Sequence, residues 1–96
     1  MSIRVMLVDD NEHTRTGYSM MLMVEPDIIL VGEAADGQEA VDIVSDVAPD
    51  VILMDVRMPR LDGIDSTRQI TTKCPDVRVL ILTTYDLDDY AFDGLA

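Results

Sequence analysis

The chain has 96 residues, of which 48% are hydrophobic, and carries a formal net charge of -12 at pH 7. This length accommodates one domain with a single core, and the excess of acidic groups, with no basic cluster, excludes nucleic-acid binding by this surface alone. Cys74 is the only cysteine, so the chain forms no internal disulfide. No apolar run approaches the roughly 20 residues that span a bilayer, and no basic leader precedes the first apolar run. We therefore predict a soluble, cytoplasmic protein without membrane contact.

Four short runs rich in Val, Ile and Leu alternate with amphipathic segments along the chain. This alternation is typical of βα units, in which helices cover both faces of a parallel sheet. We therefore predict an α/β fold with a doubly wound parallel sheet. The predicted strands are Ile3 to Val8, Ile28 to Ala34, Val51 to Met54 and Val77 to Leu82.

The first predicted helix follows the first strand, with Asn11 or Thr14 as its cap and Glu25-Pro26-Asp27 as its end. Its apolar residues fall on one helical arc, and we expect most of the methionine-rich run from Met20 to Met23 to face the core. The residues of the arc are Gly17, Tyr18, Met21, Leu22 and Val24.

Three further helices are predicted. The second begins at the Asp36-Gly37 turn and ends before Pro49-Asp50, and the third runs from near Asp62 or Gly63 to about Lys73. After the fourth strand, Asp86 to Asp89 place acids where the first turn of a fourth helix favours them. The expected inward residues are Ala40, Val41, Val44 and Val47 in the second helix, and Ile64, Thr67, Ile70 and Thr71 in the third.

Acidic residues follow directly on two of the predicted strands. Asp9 and Asp10 come after the first strand, and Asp55 comes after the third. A lone aspartate there is often only a cap or turn residue, but the carboxyl ends of parallel strands meet at one edge, where these three should converge. Two such charges about 4 Å apart repel by about 4 kcal/mol at an effective dielectric of about 20. The combination therefore predicts a cation site, and an octahedral Mg²⁺ fits it.

Three segments together resemble the receiver domain of bacterial two-component response regulators, and the resemblance covers Ile3 to Ala96. They are Val8-Asp9-Asp10, the run Ile52 to Gly63 around Asp55, and Leu82-Thr83-Thr84-Tyr85-Asp86. The resemblance implies the flavodoxin-like receiver fold. Two stretches, Val31 to Gly37 and Thr83 to Tyr90, look most like the subfamily that carries a C-terminal LuxR-type helix-turn-helix output domain.

The resemblance implies a phosphorylation switch, not a turnover enzyme. Asp55 is the implied phosphoacceptor for a sensor histidine kinase, and Thr83 is the implied switch residue, whose hydroxyl binds a phosphoryl oxygen. The implied Mg²⁺ ligands are the side chains of Asp10 and Asp55, Asp9 mostly through water, and the backbone carbonyl of Arg57. DNA would be contacted only through the output domain, which this chain lacks.

The sequence departs from the family pattern at its end. The family places a lysine after a fifth strand, whereas this sequence stops earlier, and Lys73 precedes the fourth strand. We therefore expect residues 1–96 to form one receiver domain, truncated after about the fourth βα unit and lacking the final strand and helix. An uncovered strand edge beside apolar surface also predicts self-association.

Two other functions stay open. A phosphorylation-independent interaction domain would keep the fold without using phosphate. A metal-dependent aspartyl phosphohydrolase would carry its nucleophile in an Asp-x-Asp motif after the first strand, whereas this chain has Asp9-Asp10-Asn11 there. The pattern therefore disfavours the hydrolase.

Overall fold

The computed structural model describes residues 2–55 and 62–82, which form a four-stranded parallel sheet and three helices. The strand order is β2-β1-β3-β4, so β1 and β3 lie side by side at the centre. None of the three helices is long and apolar enough to cross a membrane. In chain order the elements are β1 (Ile3–Val8), α1 (Glu12–Met23), β2 (Ile28–Ala34), α2 (Gly37–Val47), β3 (Val51–Asp55), α3 (Gly63–Lys73) and β4 (Arg78–Leu82).

The predicted strands and the first three helices are confirmed with small shifts at their ends. β3 continues through Asp55, one residue beyond its predicted end, and β4 begins at Arg78, one residue later than predicted. The fourth helix, predicted from Asp86, lies outside the described residues.

Each helix begins after a side chain that accepts a hydrogen bond from the first turn. Asn11 Oδ1 accepts from the backbone N–H of Thr14 at 3.0 Å, which makes Asn11 the cap of α1. Asp36 and Asp62 each accept from the N–H three residues ahead, at 2.8 Å. These bonds satisfy amides that have no partner within the helix, which explains why the helices start where they do.

The main core lies between the sheet and the pair α2 and α3. On the opposite face, Val5 and Leu7 of β1 are buried on the side of the sheet that α1 covers. Burial of apolar surface on both faces fixes β1 as a central strand. The buried members of the main core are Met6, Val8, Ala34, Ala40, Val44, Ile52, Met54, Ile70 and Val77.

The pairing of β1 with β2 contains a shift in register. Val5 pairs with Leu30, whereas the next β1 residue, Met6, pairs with Gly32. Val31 is therefore an additional residue in β2. Because side chains alternate between the faces of a sheet, one extra residue exchanges the faces for the rest of the strand.

The last residues of β2 show the result of this shift. Glu33 pairs with Leu7 and lies on the α1 side, while Ala34 pairs with Val8 and belongs to the core beneath α2. Gly32 faces α2 so closely that a Cβ there would lie 3.1 Å from Cγ1 of Val47. The shift therefore gives α1 an acidic neighbour and gives α2 two small ones.

The predicted inward face of α1 is wrong in part. Tyr18 and Leu22 are half-buried, but no residue of α1 is fully buried. Gly17, Met21 and Val24, which belong to the predicted arc, are exposed, Val24 to 76%, and Met20 is exposed as well. An apolar arc identifies the apolar side of a helix, but it cannot reveal how much of that side another element covers.

The predicted inward face of α3 also needs correction. Ile64 is 51% exposed and Thr71 is exposed, whereas Ser66 is fully buried beside Ile70. The Ser66 hydroxyl donates to the Gly63 carbonyl at 3.3 Å and also contacts the Met54 sulfur, so its burial leaves no unpaired polar group. The buried surface of α3 is formed by Ile70, as predicted, together with the small residues Gly63 and Ser66, and Ile64 is not part of it.

Candidate functional site

The three predicted acids lie at the carboxyl edge of the sheet, at its centre. Val8 pairs with Met54 across β1 and β3, so the residues that follow them, Asp9 and Asp55, are neighbours. Both are buried, to 6% and 7% exposure, while Asp10 is exposed. The strand order 2-1-3-4 produces this adjacency, because β1 and β3 leave the sheet side by side.

The carboxylates of Asp9, Asp10 and Asp55 approach one another closely. Each offers one oxygen, and the three oxygens lie within 4.8 Å of one another. Hard oxygen donors grouped in this way match the ligand preference of Mg²⁺, which keeps several water ligands of its own. The residues present therefore fit a magnesium ion. Arg57 and Thr83, the other implied site residues, lie outside the described residues.

Asp9 makes hydrogen bonds through both its backbone and its side chain. Its N–H donates to the carbonyl of Ala34 at 3.1 Å, and its Oδ1 accepts from the N–H of Asn11 at 2.8 Å. Burial raises the pKa of the Asp9 carboxyl and the Asp10 charge raises it further, against opposing effects of the Asn11 hydrogen bond and Arg15. A cation placed at the three acids would relieve this cost.

In the absence of metal, we expect Asp9→Asn to stabilise the protein, and to do so increasingly as the pH rises. The pKa of Asp9 in the folded state lies above its ordinary value of 3.8. The folded state therefore binds this proton more tightly than the unfolded state. The free energy of unfolding falls as the pH rises from the ordinary pKa to the higher pKa of the folded state. Urea unfolding in EDTA from about pH 4 to about pH 7 measures the difference between variant and wild type.

The exposed loop residue Asp76 provides the control, since Asp76→Asn removes the same charge near the start of β4, at the edge of the sheet opposite to the acidic group. Its effect on unfolding should not follow the same dependence on pH. A difference between Asp9→Asn and wild type that stays constant or shrinks with rising pH would contradict the assignment.

Two residues near the acids were not predicted as part of the site. Burial and the charges of Asp9 and Asp55 raise the pKa of the Tyr18 phenol, so its hydroxyl shares their electrostatic environment. Arg15 donates from Nη1 to the carbonyl of Asp9 at 2.6 Å. In the sequence, Tyr18 was assigned to the apolar arc of α1, and Arg15 lies one helical turn after the cap Asn11, a spacing that could have indicated its proximity.

The architecture defines a class of protein. Four parallel strands in the order 2-1-3-4, with α1 on one face and α2 and α3 on the other, form a flavodoxin-like receiver fold with the acids at its centre. The chain belongs to the response regulator receiver domain family, whose sequence profile matches residues 5–96. Receiver domains bind Mg²⁺ at an acidic pocket, and in this chain Asp9, Asp10 and Asp55 form such a group.

Known proteins support both the family and the subfamily. The chain is 43% identical over 90 residues to the transcriptional regulatory protein LiaR of Bacillus subtilis (strain 168), covering 94% of this chain and 43% of LiaR. It is similar to the response regulator domain of Thermotoga maritima CheB, with a TM-score of 0.85, 36% identity, and coverage of 98% of this chain and 69% of that one. A LuxR-family response regulator from Aurantimonas sp. SI85-9A1 matches with a TM-score of 0.84 and 34% identity, over 99% and 68% of the two chains. The chain therefore spans less than half the length of its curated relative LiaR.

Proposed function

We propose that this chain is the phosphoacceptor module of a transcriptional response regulator and that Asp55 receives the phosphoryl group. The observation that carries the proposal is the grouping of three carboxylate oxygens within 4.8 Å of one another, with Asp55 at the end of a central strand. Such a group combines a nucleophile with a cation site. Family membership supports the assignment of the nucleophile to the β3 residue.

The reaction begins when a carboxylate oxygen of Asp55 attacks the phosphorus of a phosphohistidine or of a small acyl phosphate. The new O–P bond forms as the bond from phosphorus to the leaving imidazole or carboxylate breaks, and the product is an acyl phosphate on Asp55. Asp10 and Asp55 would hold Mg²⁺ through their side chains and Asp9 mostly through water, and the Arg57 carbonyl would be a further ligand. When bound, the ion would offset charge on the transferring group.

Thr83 completes the proposed switch. Thr83 binds a phosphoryl oxygen through its hydroxyl, and Leu82, the residue before it, pairs with Asp55 in the sheet. This pairing supports the role of Thr83, because the residue before it ends a strand beside the phosphoacceptor. Movement of Thr83 toward the phosphoryl group would carry with it the segment after β4.

The test is incubation with Mg²⁺ and acetyl phosphate, followed by mass spectrometry of the intact chain and of its peptides. A single phosphoryl adduct on Asp55 that requires Mg²⁺ is the expected result, with self-phosphorylation and slow self-dephosphorylation as the only activities. Multiple turnover would instead identify an aspartyl phosphohydrolase. The absence of any adduct, and of any response to beryllofluoride, would identify a phosphorylation-independent interaction domain.

The proposed partners follow from the relatives. LiaR is a transcriptional regulatory protein and more than twice as long as the aligned segment, so we propose an output domain that contacts DNA in the whole protein. The phosphoryl donor is a sensor histidine kinase, as in two-component systems generally. A regulator that acts on bacterial DNA works in the cytoplasm, which we propose as its location.

We also propose that this chain self-associates through the edge of its sheet. Within the described residues β4 is an edge strand, and it exposes Leu80 to 54% and also Ile81. An edge strand with exposed apolar side chains presents unpaired backbone groups beside surface that another copy can bury. Light scattering at tens of micromolar should therefore give a mass above that of the monomer.

Substitution at the edge tests the site of association. Leu80→Lys places a charge on β4 and should shift the mass toward that of the monomer. Ile64→Lys, at a similarly exposed isoleucine on α3, is the matched control and should leave the mass unchanged. A monomeric wild type under these conditions would contradict self-association.

A further inference from the structure

Arg15 connects three parts of the structure beside the acidic group. Its Nη1 donates to the backbone carbonyl of Asp9 at 2.6 Å, and its Nε donates to Oε1 of Glu33 at 3.0 Å. Arg15 lies in α1, Asp9 follows β1, and Glu33 lies in β2. The side chain of Arg15 is 19% exposed and that of Glu33 is 42% exposed, so the bond to the Asp9 carbonyl is the more buried of the two.

The contact with Asp9 restrains the peptide that leads into Asp10. The carbonyl of Asp9 and the N–H of Asp10 belong to the same planar unit, so holding the oxygen fixes the plane from which Asp10 departs. Asp9 is also restrained through its N–H, which precedes that peptide, and through its side chain, whose bond with the Asn11 N–H closes a turn around Asp10. The guanidinium adds to this turn a contact with the oxygen of the peptide that links the two acids.

Glu33 in turn fixes the guanidinium. A planar fork that donates from both Nε and Nη1 has its direction set by two acceptors at once. Glu33 can serve as one of them because the register shift after Val5 turns it toward α1. The chain Glu33 to Arg15 to the Asp9 carbonyl therefore runs from β2 to the acidic group.

We infer that Arg15, braced by Glu33, is a positioning residue for the proposed magnesium site, setting the Asp9-Asp10 peptide so that both carboxylates face one ion together with Asp55. The inference rests on the proposed function. Positioning by Arg15 and the charge of Arg15 have opposite effects on Mg²⁺ affinity, because a guanidinium near a cation site repels the cation. Removal of Arg15 should therefore strengthen Mg²⁺ binding if only its charge acts there, and weaken it if positioning dominates.

The experiment is titration of the apo protein with Mg²⁺ by isothermal titration calorimetry. Arg15→Met is expected to weaken Mg²⁺ binding by about 10-fold, the usual scale for loss of a group that orients a metal ligand. Arg15→Lys keeps the charge but cannot donate to both acceptors in the same fixed geometry, so it should also weaken binding several-fold. The control is Arg68→Met, which removes an equal charge from an exposed pair with Asp65 on α3 and should leave the affinity unchanged.

Glu33 provides a second test that stands if the Arg15 variants do not fold. Glu33→Gln removes the negative charge but keeps an oxygen to accept from Nε, whereas Glu33→Met removes the acceptor as well. Positioning predicts that Met weakens Mg²⁺ binding more than Gln does. A pure charge effect predicts equal losses, which would overturn the inference.

The remaining outcomes are also decisive. If the wild type binds Mg²⁺ and Arg15→Met binds it equally or more tightly, the positioning role is overturned and the proposed function stands. Wild-type affinity in Arg15→Lys would likewise overturn it, because charge alone would then suffice. A wild-type protein that does not bind Mg²⁺ overturns the proposed function and this inference together. Circular dichroism in EDTA verifies that each variant is folded.

Discussion

Asp55→Asn is expected to abolish phosphorylation by acetyl phosphate. The amide has nearly the shape of the carboxylate but is a poor nucleophile, so the acyl phosphate cannot form. The backbone of residue 55 continues to pair with Leu82 in the sheet, because this pairing does not involve the side chain. Intact-mass spectrometry after incubation with Mg²⁺ and acetyl phosphate should show the adduct in the wild type and none in the variant.

Asp76→Asn is the matched control for this substitution. Asp76 is an exposed loop residue between α3 and β4, and its replacement makes the same chemical change outside the acidic group. The control should be phosphorylated at the wild-type rate. Labelling that persists in Asp55→Asn and maps to Asp9 or Asp10 would show that the nucleophile follows β1, as in the hydrolase alternative.

Ile52→Ala is expected to lower the free energy of unfolding by about 2 to 5 kcal/mol. Ile52 is fully buried in the central strand β3 and belongs to the core beneath α2 and α3. Truncation removes buried apolar surface and leaves a cavity that close packing cannot fill completely. Small domains have about 5 to 15 kcal/mol of stability in total, so urea unfolding should show a large fall in the midpoint.

Leu80→Ala in the neighbouring strand β4 is the comparison. Because the Leu80 side chain is more than half exposed, its truncation should cost at most about 1 kcal/mol at low protein concentration. Equal losses at the two positions would contradict the placement of the core. A loss for Leu80→Ala that grows with protein concentration would support association through this edge.

The strands and the acidic group were predictable because each depends on a local pattern. A buried parallel strand requires a run of apolar residues, and such a run has few other uses in a chain of this size. Asp9 and Asp55 interrupt the apolar character where the strands meet solvent, so their place in the sequence already indicated a shared edge. The structure brings them together with Asp10, whose exposure nothing in the pattern indicated.

The helix faces were less predictable, since burial of a side chain depends on which other elements cover it. Met21 has the spacing of an inward residue but is exposed, and Ile64 is exposed although Ile70, the other isoleucine of α3, is fully buried. Ser66 takes the buried position because its hydroxyl finds a partner inside its own helix. Neither periodicity nor hydrophobicity contains that information.

The additional residue in β2 divides the strand into two parts whose side chains alternate with opposite phase. Up to Leu30, the residues of β2 pair one by one with those of β1. After Val31 the pairing resumes one residue further along β2, and Glu33 contacts Arg15. A deletion inside a regular strand reverses the faces of everything beyond it. Removing Val31 would instead restore an unbroken ladder and leave Glu33 toward α1 and Ala34 toward α2, so this position can absorb a change in length that its neighbours cannot.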